Sequence, residues 1–299
     1  MSKVFITGAN GLLGQNLVEV FSQKHRVFAS DLNSGPFFTN PDVKYKALDI
    51  LDKDRLQTLI LSFKPDLIIN AAAYTDVDGC ETNKEKAWKV NVGGIQNLVE
   101  ICKKDKIKLS HLSTDYVFDG KRGPYSEDDP TNPISYYGKT KLEGELKIKK
   151  SGIDFNIVRT NVLYGIGEKI NPNFFTWVLD KLIKGEKIKV VTDQLNNPTL
   201  AFDLAKALLE LWEIKYTGII NITGYEYLSR YDFALKIAEK FDLKKDLISP
   251  VKTEDLKQIA PRPKKGGLKI DKASRILNTK LSDINEGLEH LKKKLKDLI

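Results

Sequence analysis

The chain has 299 residues, of which 41% are hydrophobic and 29% are charged, a composition typical of globular proteins and long enough for one large domain or two. No apolar run approaches the roughly 20 residues of a membrane helix, and the N-terminus lacks a signal-peptide pattern, so a cytoplasmic protein without a membrane anchor is expected. The net charge is +8, but lysines mix with acidic residues along most of the chain, which argues against nucleic-acid binding. Cys80, Cys102 and three scattered histidines lack the spacing of metal ligands, so no metal site is expected.

The first predicted unit is a strand, a glycine loop and a helix. An apolar run at 3–7 precedes Gly8-Ala9-Asn10-Gly11-Leu12-Leu13-Gly14, and apolar residues with helical spacing follow. Glycines let the backbone approach a pyrophosphate, and the helix N-terminus offers unpaired N–H groups to that anion. The spacing G-x-x-G-x-x-G is a variant of G-x-G-x-x-G, and in this context it favours dinucleotide binding over a plain turn before a helix.

A second predicted strand, 26–31, ends in Asp31. This residue lies about 20 residues beyond the glycine loop, where a carboxylate reaches the adenosine ribose hydroxyls in dinucleotide-binding folds. A carboxylate there repels a 2′-phosphate, so NAD(H) is favoured, with NADP(H) as the alternative cofactor. The competing interpretation is a strand-end aspartate that faces solvent.

Strand and helix patterns then alternate, which predicts an α/β fold with a Rossmann-type doubly wound parallel sheet. Further strands are predicted at 43–48, 66–70, 107–112, 153–160 and 218–223. Helices are predicted at 52–63, 83–104, 174–183, 202–212, 230–241 and 281–299. The small residues Ala71-Ala72-Ala73 follow the strand at 66–70, where they would let a flat ligand approach the backbone.

Tyr137 and Lys141 lie four residues apart at the start of another predicted helix, so their side chains share one helix face. The ammonium is expected to lower the pKa of the phenol from about 10 towards neutrality, which suits proton transfer at a substrate oxygen. Taken alone, the pair is more typical of an ordinary surface helix. However, the glycine loop and the hydroxyls of Ser113 and Thr114 belong to the same edge of a doubly wound sheet, and this convergence favours a catalytic site.

The chain resembles a known family in several of these segments. They are the glycine loop, Asn70 to Tyr74, Ser113 to Gly120, Pro124 to Glu127, Tyr137 to Glu145 and Asp193 to Thr199. With them the chain resembles the extended short-chain dehydrogenase/reductases that act on nucleotide sugars, and more narrowly the dTDP-4-dehydrorhamnose reductase family. The resemblance spans most of the chain. It implies a dinucleotide-binding domain over 1–160 and a smaller C-terminal substrate lobe over most of 161–299, with some segments returning to the first domain.

The resemblance also implies the site residues. The implied catalytic residues are Thr114, Tyr137 and Lys141, and substrate binding is implied for Thr114 and Asp115. The implied cofactor-binding residues are Gly8, Asn10, Gly11, Leu12, Gly14, Asp31, Asp49, Ile50, Ala71, Ala72, Ala73, Leu112, Tyr137 and Lys141.

The implied reaction is the NAD(P)H-dependent reduction of the C4 keto group of a dTDP-6-deoxy-4-keto-hexose, as in dTDP-L-rhamnose biosynthesis. Tyr137 would protonate the C4 oxygen, Thr114 would hydrogen-bond it, and Lys141 would hold the nicotinamide ribose and stabilise tyrosinate. The implied partner is a small nucleotide sugar, and a homodimer stays open.

Three other functions are weighed against this one. Dehydratases of similar fold carry Thr-Asp-Glu at the strand end, whereas this chain has Thr114-Asp115-Tyr116 and so lacks the carboxylate base for elimination. Epimerases share the tyrosine, lysine and hydroxyl, but the match over 193–199 favours a reductase. Non-catalytic regulatory subunits of methionine adenosyltransferase are also similar, and they need not keep the full catalytic set. One departure concerns Val162, where the reductases commonly have a tryptophan that touches the substrate, and it bears on sugar or nucleotide preference.

Overall fold

The computed structural model describes residues 1–296, which are organised around a seven-stranded sheet. The strands are β1 (Lys3–Thr7), β2 (Arg26–Asp31), β3 (Lys44–Ala47), β4 (Leu67–Asn70), β5 (Lys108–Thr114), β6 (Phe155–Thr160), β7 (Leu163–Tyr164), β8 (Ile188–Val191), β9 (Leu195–Asn196), β10 (Thr199–Leu200), β11 (Gly218–Asn221), β12 (Leu228–Ser229) and β13 (Ile248–Val251). The helices are α1 (Leu12–Ser22), α2 (Lys53–Phe63), α3 (Val77–Thr82), α4 (Lys84–Trp88), α5 (Gly94–Asp105), α6 (Tyr136–Ser151), α7 (Phe174–Ile183), α8 (Ala201–Glu213), α9 (Arg230–Lys240), α10 (Asp271–Ile276) and α11 (Ile284–Lys296).

The main sheet has the order β11-β6-β5-β4-β1-β2-β3, and all of its paired strands are parallel. Both faces are covered by helices, because successive strand residues point to opposite sides and both sets are apolar. Val4 and Ile6 pack with α1 and α8 on one face, whereas Phe5 and Ile68 pack with α2 and α5 on the other. The expected doubly wound α/β fold is confirmed.

The second half of the chain builds a smaller lobe and also adds to the main sheet. Phe175, Val178, Phe233 and Leu288 from α7, α9 and α11 form a separate apolar core. The second half of the chain also contains strands of three two-stranded sheets, β10-β7, β12-β9 and β13-β8. By contrast, β11 is the edge strand of the main sheet, and α8 packs against α1.

The expectation of one continuous helix over 83–104 is wrong. The segment divides into α4, a π-helical turn at Lys89–Gly93, and α5. Asn91 in that turn is buried, and its amide accepts from Tyr74 N at 2.8 Å and donates to Tyr74 O at 3.1 Å and to Thr140 Oγ1 at 3.0 Å. A wider turn changes the register of the helix so that this amide faces inward, which a hydrophobic pattern does not reveal.

The remaining differences concern short elements and the ends of longer ones. α3 and α10 were not predicted; Asp76 is the N-cap of α3, and its side chain accepts the N–H of Gly79 at 2.9 Å. The last helix begins at Ile284 instead of residue 281, and its predicted end at 297–299 lies outside the described residues. Over 1–296, no helix combines the length and the apolarity needed to cross a bilayer.

Candidate active site

Two glycines fix the path of the loop between β1 and α1. Gly8 has φ of +69°, and a Cβ there would lie 2.6 Å from the backbone nitrogen of Ala72. A Cβ on Gly14 would lie 2.0 Å from the carbonyl oxygen of Gly8. The loop is therefore wedged between α1 and the segment after β4, which brings the predicted Gly8, Gly14, Ala71 and Ala72 together.

The N-terminus of α1 has the features of an anion site. Gly11 is its N-cap, without a side-chain capping bond, and the first turn carries no acidic residue. The first backbone N–H groups of the helix, from Leu12 onward, therefore keep their partial positive charge free of a side-chain partner. This arrangement fits the pyrophosphate of a dinucleotide.

Asn10 and Asp31 link this loop to the end of β2. The N–H of Asn10 donates to Asp31 Oδ2 at 3.0 Å, and Asp31 Oδ1 accepts the N–H of Leu32 at 2.7 Å. The Asn10 side chain accepts from Phe37 N at 2.9 Å. A negative charge thus lies beside the glycine loop, as the ribose-binding prediction requires.

Asp49 and Ile50 lie beyond β3, at the far end of the same edge of the sheet. Asp49 is exposed and accepts the N–H of Leu51 at 2.9 Å in its own turn. Ile50 is buried against α5, where a Cβ on Gly94 would lie 2.4 Å from it. The structure therefore gives Ile50 a packing role, and it leaves the Asp49 carboxylate at the surface.

Helix α6 brings Tyr137 and Lys141 to the end of β5. Ser135 caps the helix by accepting the N–H of Gly138 at 3.1 Å. A Cβ on Gly138 would lie 2.1 Å from the carbonyl oxygen of Tyr116, so this glycine allows the helix to press onto the turn after β5. As a result Tyr137 is buried, with its ring centroid 5.5 Å from that of Tyr116.

The expectation that Lys141 lowers the pKa of Tyr137 is wrong. Burial raises the pKa of the Tyr137 phenol above its usual value, and a hydrogen bond with the neighbouring Thr114 hydroxyl opposes this effect. Lys141 instead donates from Nζ to the carbonyl oxygen of Leu112 at 2.7 Å, and its own burial lowers its pKa to about 8. Desolvation disfavours the charged form of both groups, so the site holds a protonated phenol at neutral pH.

Thr114 and Asp115 follow at the end of β5. Thr114 Oγ1 accepts the N–H of Tyr116 at 3.2 Å and donates to Asp115 Oδ1 at 3.2 Å. Asp115 Oδ2 accepts from Gly267 N at 3.1 Å and from Asn161 Nδ2 at 3.2 Å. Burial raises the pKa of Asp115. The Asp115 carboxylate therefore connects the turn after β5 to Asn161 and to Gly267.

Two arginines near this turn were missed by the sequence reasoning. The charges of Arg262 and Arg230 both oppose the rise that burial causes in the pKa of Tyr116. Arg262 Nη2 pairs with Asp78 at 3.1 Å, but its buried Nη1 has no hydrogen-bond partner among residues 1–296. Arg230 lies over the ring of Phe174 at 5.0 Å. They come from distant segments, so only the fold brings the two guanidinium groups to one place.

Val162 lies between β6 and β7 with φ of +43°, in the left-handed region. A β-branched residue seldom adopts this conformation, which costs about 1–2 kcal/mol. Its carbonyl oxygen accepts the N–H of Thr199 at 3.1 Å, which joins it to the 193–199 segment. The position where the resemblance leads us to expect a tryptophan is thus strained and is hydrogen-bonded to Thr199 of β10. Across the described part of the chain, no group of three His, Cys, Asp or Glu residues could hold a metal ion.

Comparison with known proteins decides the family. The model of the RmlD substrate binding domain matches residues 2–297. A dTDP-4-dehydrorhamnose reductase of Aggregatibacter actinomycetemcomitans is 34% identical over 307 aligned positions, covering 98% of this chain and 99% of the relative. The chain belongs to the dTDP-4-dehydrorhamnose reductase family.

Two further comparisons bear on the fold and on the regulatory-subunit alternative. The crystal structure of dTDP-4-dehydrorhamnose reductase from Bacillus anthracis in complex with NADP matches with a TM-score of 0.88 at 30% identity, covering 98% of this chain and 99% of that one. The methionine adenosyltransferase 2 subunit beta of Rattus norvegicus is 32% identical over 278 aligned positions, covering 90% of this chain and 81% of the relative. Sequence similarity therefore relates this chain both to reductases and to a subunit of methionine adenosyltransferase. Similarity alone does not distinguish the two functions.

Proposed function

We propose that the protein reduces the C4 keto group of a dTDP-6-deoxy-4-keto-hexose, as in dTDP-L-rhamnose biosynthesis. It is thus an oxidoreductase of the dTDP-4-dehydrorhamnose reductase type. The observation that carries the proposal is the buried Tyr137, hydrogen-bonded to Thr114, with Lys141 on the same helix face. Family membership supports the same reaction. The cofactor is a nicotinamide dinucleotide, whose pyrophosphate suits the uncapped N-terminus of α1.

When bound, the reduced nicotinamide supplies a hydride to the C4 carbonyl carbon. Tyr137 gives its phenolic proton to the C4 oxygen as that oxygen gains negative charge, so hydride and proton together convert the ketone to an alcohol. A raised pKa keeps Tyr137 protonated before the transfer, which is the form that reduction needs. The Thr114 hydroxyl, which donates to Asp115 Oδ1 in the structure without substrate, would turn to donate to the same oxygen when the sugar binds. The ammonium of Lys141 stabilises the tyrosinate until solvent reprotonates it.

The turn after β5 argues against elimination. A dehydratase needs a carboxylate base at the position of Tyr116, and burial raises the pKa of that phenol. The regulatory-subunit alternative has support from the adenosyltransferase relatives. Because Thr114, Tyr137 and Lys141 are all kept, the enzyme interpretation is preferred.

The direct test is an assay with purified protein, reduced nicotinamide cofactor and dTDP-4-dehydro-L-rhamnose. The loss of cofactor absorbance should depend on the sugar. With a cofactor deuterated at the transferred position, the product should carry a hydroxyl on C4 and the deuterium on the C4 carbon itself. Absence of turnover with any 4-keto nucleotide sugar, together with tight binding to an adenosyltransferase, would favour the regulatory alternative.

We expect NADH to be used more efficiently than NADPH, because Asp31 lies beside the glycine loop and its carboxylate repels a 2′-phosphate. Asp31→Asn keeps an acceptor for the N–H of Asn10, which Asp31 Oδ2 accepts at 3.0 Å, while it removes the charge. The kcat/KM with NADPH should rise by roughly tenfold relative to NADH, equivalent to about 1.4 kcal/mol. Steady-state kinetics with both cofactors measures this, and equal efficiencies in the unmutated protein would contradict it.

Arg262 and Arg230 are proposed to bind the diphosphate of the nucleotide sugar. The buried Nη1 of Arg262 lacks a partner within the described chain, and planar guanidinium groups suit phosphate oxygens. Arg262→Met should raise the KM for the sugar roughly 30-fold, or about 2 kcal/mol, and leave the Kd of the cofactor nearly unchanged. Arg275→Met on the exposed face of α10 is the control. Equal weakening of cofactor and sugar binding by Arg262→Met would point to a general loss of structure.

A further inference from the structure

A row of buried polar side chains lies behind Lys141. Thr7 of β1, Asn70 of β4 and His111 of β5 are register partners on adjacent parallel strands, so they project on the same side of the sheet. Thr7 Oγ1 donates to Asn70 Oδ1 at 2.6 Å, and Asn70 Nδ2 lies 3.1 Å from His111 Nδ1. His111 Nε2 then lies 3.5 Å from Lys141 Nζ. The row therefore ends at the lysine of the proposed site.

Few other charged groups reach this lysine. On α6 itself, Tyr137 precedes it by one turn and Glu145 follows it by one turn. The Glu145 carboxylate is already paired with Arg159 of β6 at 2.7 Å. From β5, the titratable group that contacts Lys141 is His111, which is only 1% exposed. From β4, the side chain in the row is the uncharged amide of Asn70, and the amide of Asn91 in the π-helical turn donates to Thr140.

α6 carries a glycine where it crosses the imidazole. A Cβ on Gly144 would lie 3.1 Å from the carbonyl oxygen of Asn91 and 3.8 Å from His111 Nε2. The glycine lets α6 lie close to β5, and Lys141 reaches His111 and the Leu112 carbonyl from above. The distance between the α6 backbone and the imidazole is thus set by packing at Gly144.

The hydrogen-bonding capacities of the row are coupled. A neutral imidazole has one donor nitrogen and one acceptor nitrogen, whereas an ammonium can only donate. If Asn70 donates to Nδ1, the imidazole proton sits on Nε2 and faces Lys141, which suits a neutral amine. If Lys141 is an ammonium, Nε2 must accept, the proton sits on Nδ1, and the Asn70 amide turns to present its oxygen. The ammonium form of Lys141 therefore requires the Nδ1–H tautomer of His111, whereas the neutral amine has a lone pair and permits the Nε2–H tautomer that donation from Asn70 favours.

We propose that His111 is a positioning residue for Lys141: its imidazole changes between donor and acceptor as the lysine loses or gains a proton, and so holds Nζ in place in both forms. The inference rests on the proposed function, in which Lys141 stabilises the tyrosinate. Burial and the neighbouring Lys141 hold the pKa of His111 well below its usual value, so the ring stays neutral. Burial lowers the pKa of Lys141 to about 8, so the tautomer changes near that pH.

Two substitutions of His111 distinguish a role in positioning Lys141 from a role in packing. In His111→Gln the amide reaches the place of Nε2 and can donate or accept there, whereas in His111→Asn the shorter amide reaches only the place of Nδ1. His111→Asn should lower kcat about tenfold with little change in the KM for the sugar, and it should shift the midpoint of the pH profile of kcat. His111→Gln should recover kcat to within about threefold. Equal losses in both variants with an unmoved pH profile would mean that His111 serves only packing.

A second measurement does not depend on activity. The chain has three histidines, so the ring nitrogens of His111 can be assigned in long-range proton–nitrogen NMR spectra from the signal lost in His111→Gln. On raising the pH through about 8, the neutral ring should change from the Nδ1–H to the Nε2–H tautomer, and Lys141→Met should abolish the change. One fixed tautomer at all pH values would overturn the inference even in an active enzyme. A tautomer change in a protein without reductase activity would instead defeat the proposed function and leave the inference standing.

Discussion

Tyr137→Phe should lower kcat by about 10³-fold, because it removes the proton donor while keeping the ring. The aromatic contact with Tyr116, at a centroid distance of 5.5 Å, needs only that ring. Tyr137 is buried, and its hydroxyl is hydrogen-bonded to the Thr114 side chain, so the free energy of unfolding should fall by only about 1 kcal/mol. Single-turnover kinetics measures the chemical step, and fluorescence titration measures the Kd of the cofactor.

The adjacent tyrosine gives a matched control. Tyr136 begins α6, its ring lies 5.3 Å from Lys84 Nζ, and it is partly exposed. Tyr136→Phe keeps that cation–π contact and should retain almost full activity. If Tyr137→Phe keeps more than about a tenth of kcat, the proton comes from another group and the proposed role is wrong.

Glu145→Leu should lower the free energy of unfolding by about 3–5 kcal/mol, because it leaves a buried guanidinium without its counter-ion. Arg159 donates to Glu145 through Nε at 3.0 Å and through Nη2 at 2.7 Å, and the two side chains are 3% and 1% exposed. Ser113 Oγ also donates to the same carboxylate at 2.5 Å. These bonds join α6 to β5 and β6, so kcat should fall together with stability.

Denaturant unfolding measures the change, and two comparisons interpret it. The double variant Glu145→Leu with Arg159→Met removes both charges and should regain much of the lost stability. Glu85→Ala on α4 removes the exposed ion-pair partner of Lys89, which lies four residues further along the chain. This change should have no measurable effect on stability. A loss in Glu145→Leu no larger than that in Glu85→Ala would contradict a structural role for the buried pair.

Features carried by short segments could be predicted from the sequence. The glycine loop, the strand before it and the helix after it are encoded by consecutive residues, and Phe174–Ile183 forms the predicted helix over its full length. Local spacing also places Tyr137 and Lys141 on one face of α6. In each case the deciding interactions lie within about two turns of helix or one strand.

Features that depend on distant packing could not be predicted. Arg230 lies in α9 and Arg262 in the segment after residue 256, and only the fold brings both charges close to Tyr116. The pKa of Tyr137 depends on burial by surrounding elements, whereas its sequence neighbour Lys141 suggested the opposite direction. The inward-facing Asn91 depends on one π-helical turn. Such effects arise from the assembled structure, so residue order alone gives them no distinct pattern.

The path of the chain through the sheet limits how relatives can be recombined. β11, at Gly218–Asn221, pairs with β6, and α8 covers the face formed by α1. A fragment that stops at residue 160 would expose the edge of β6 and the apolar stripe of α1, which favours aggregation. Chimeras that exchange substrate specificity should therefore keep residues 201–221 from the same parent as residues 1–160. The segments that can be exchanged are therefore residues 161–200 and the chain after residue 221. A chimera joined at a single point between two halves cannot exchange both segments and also keep residues 201–221 with residues 1–160.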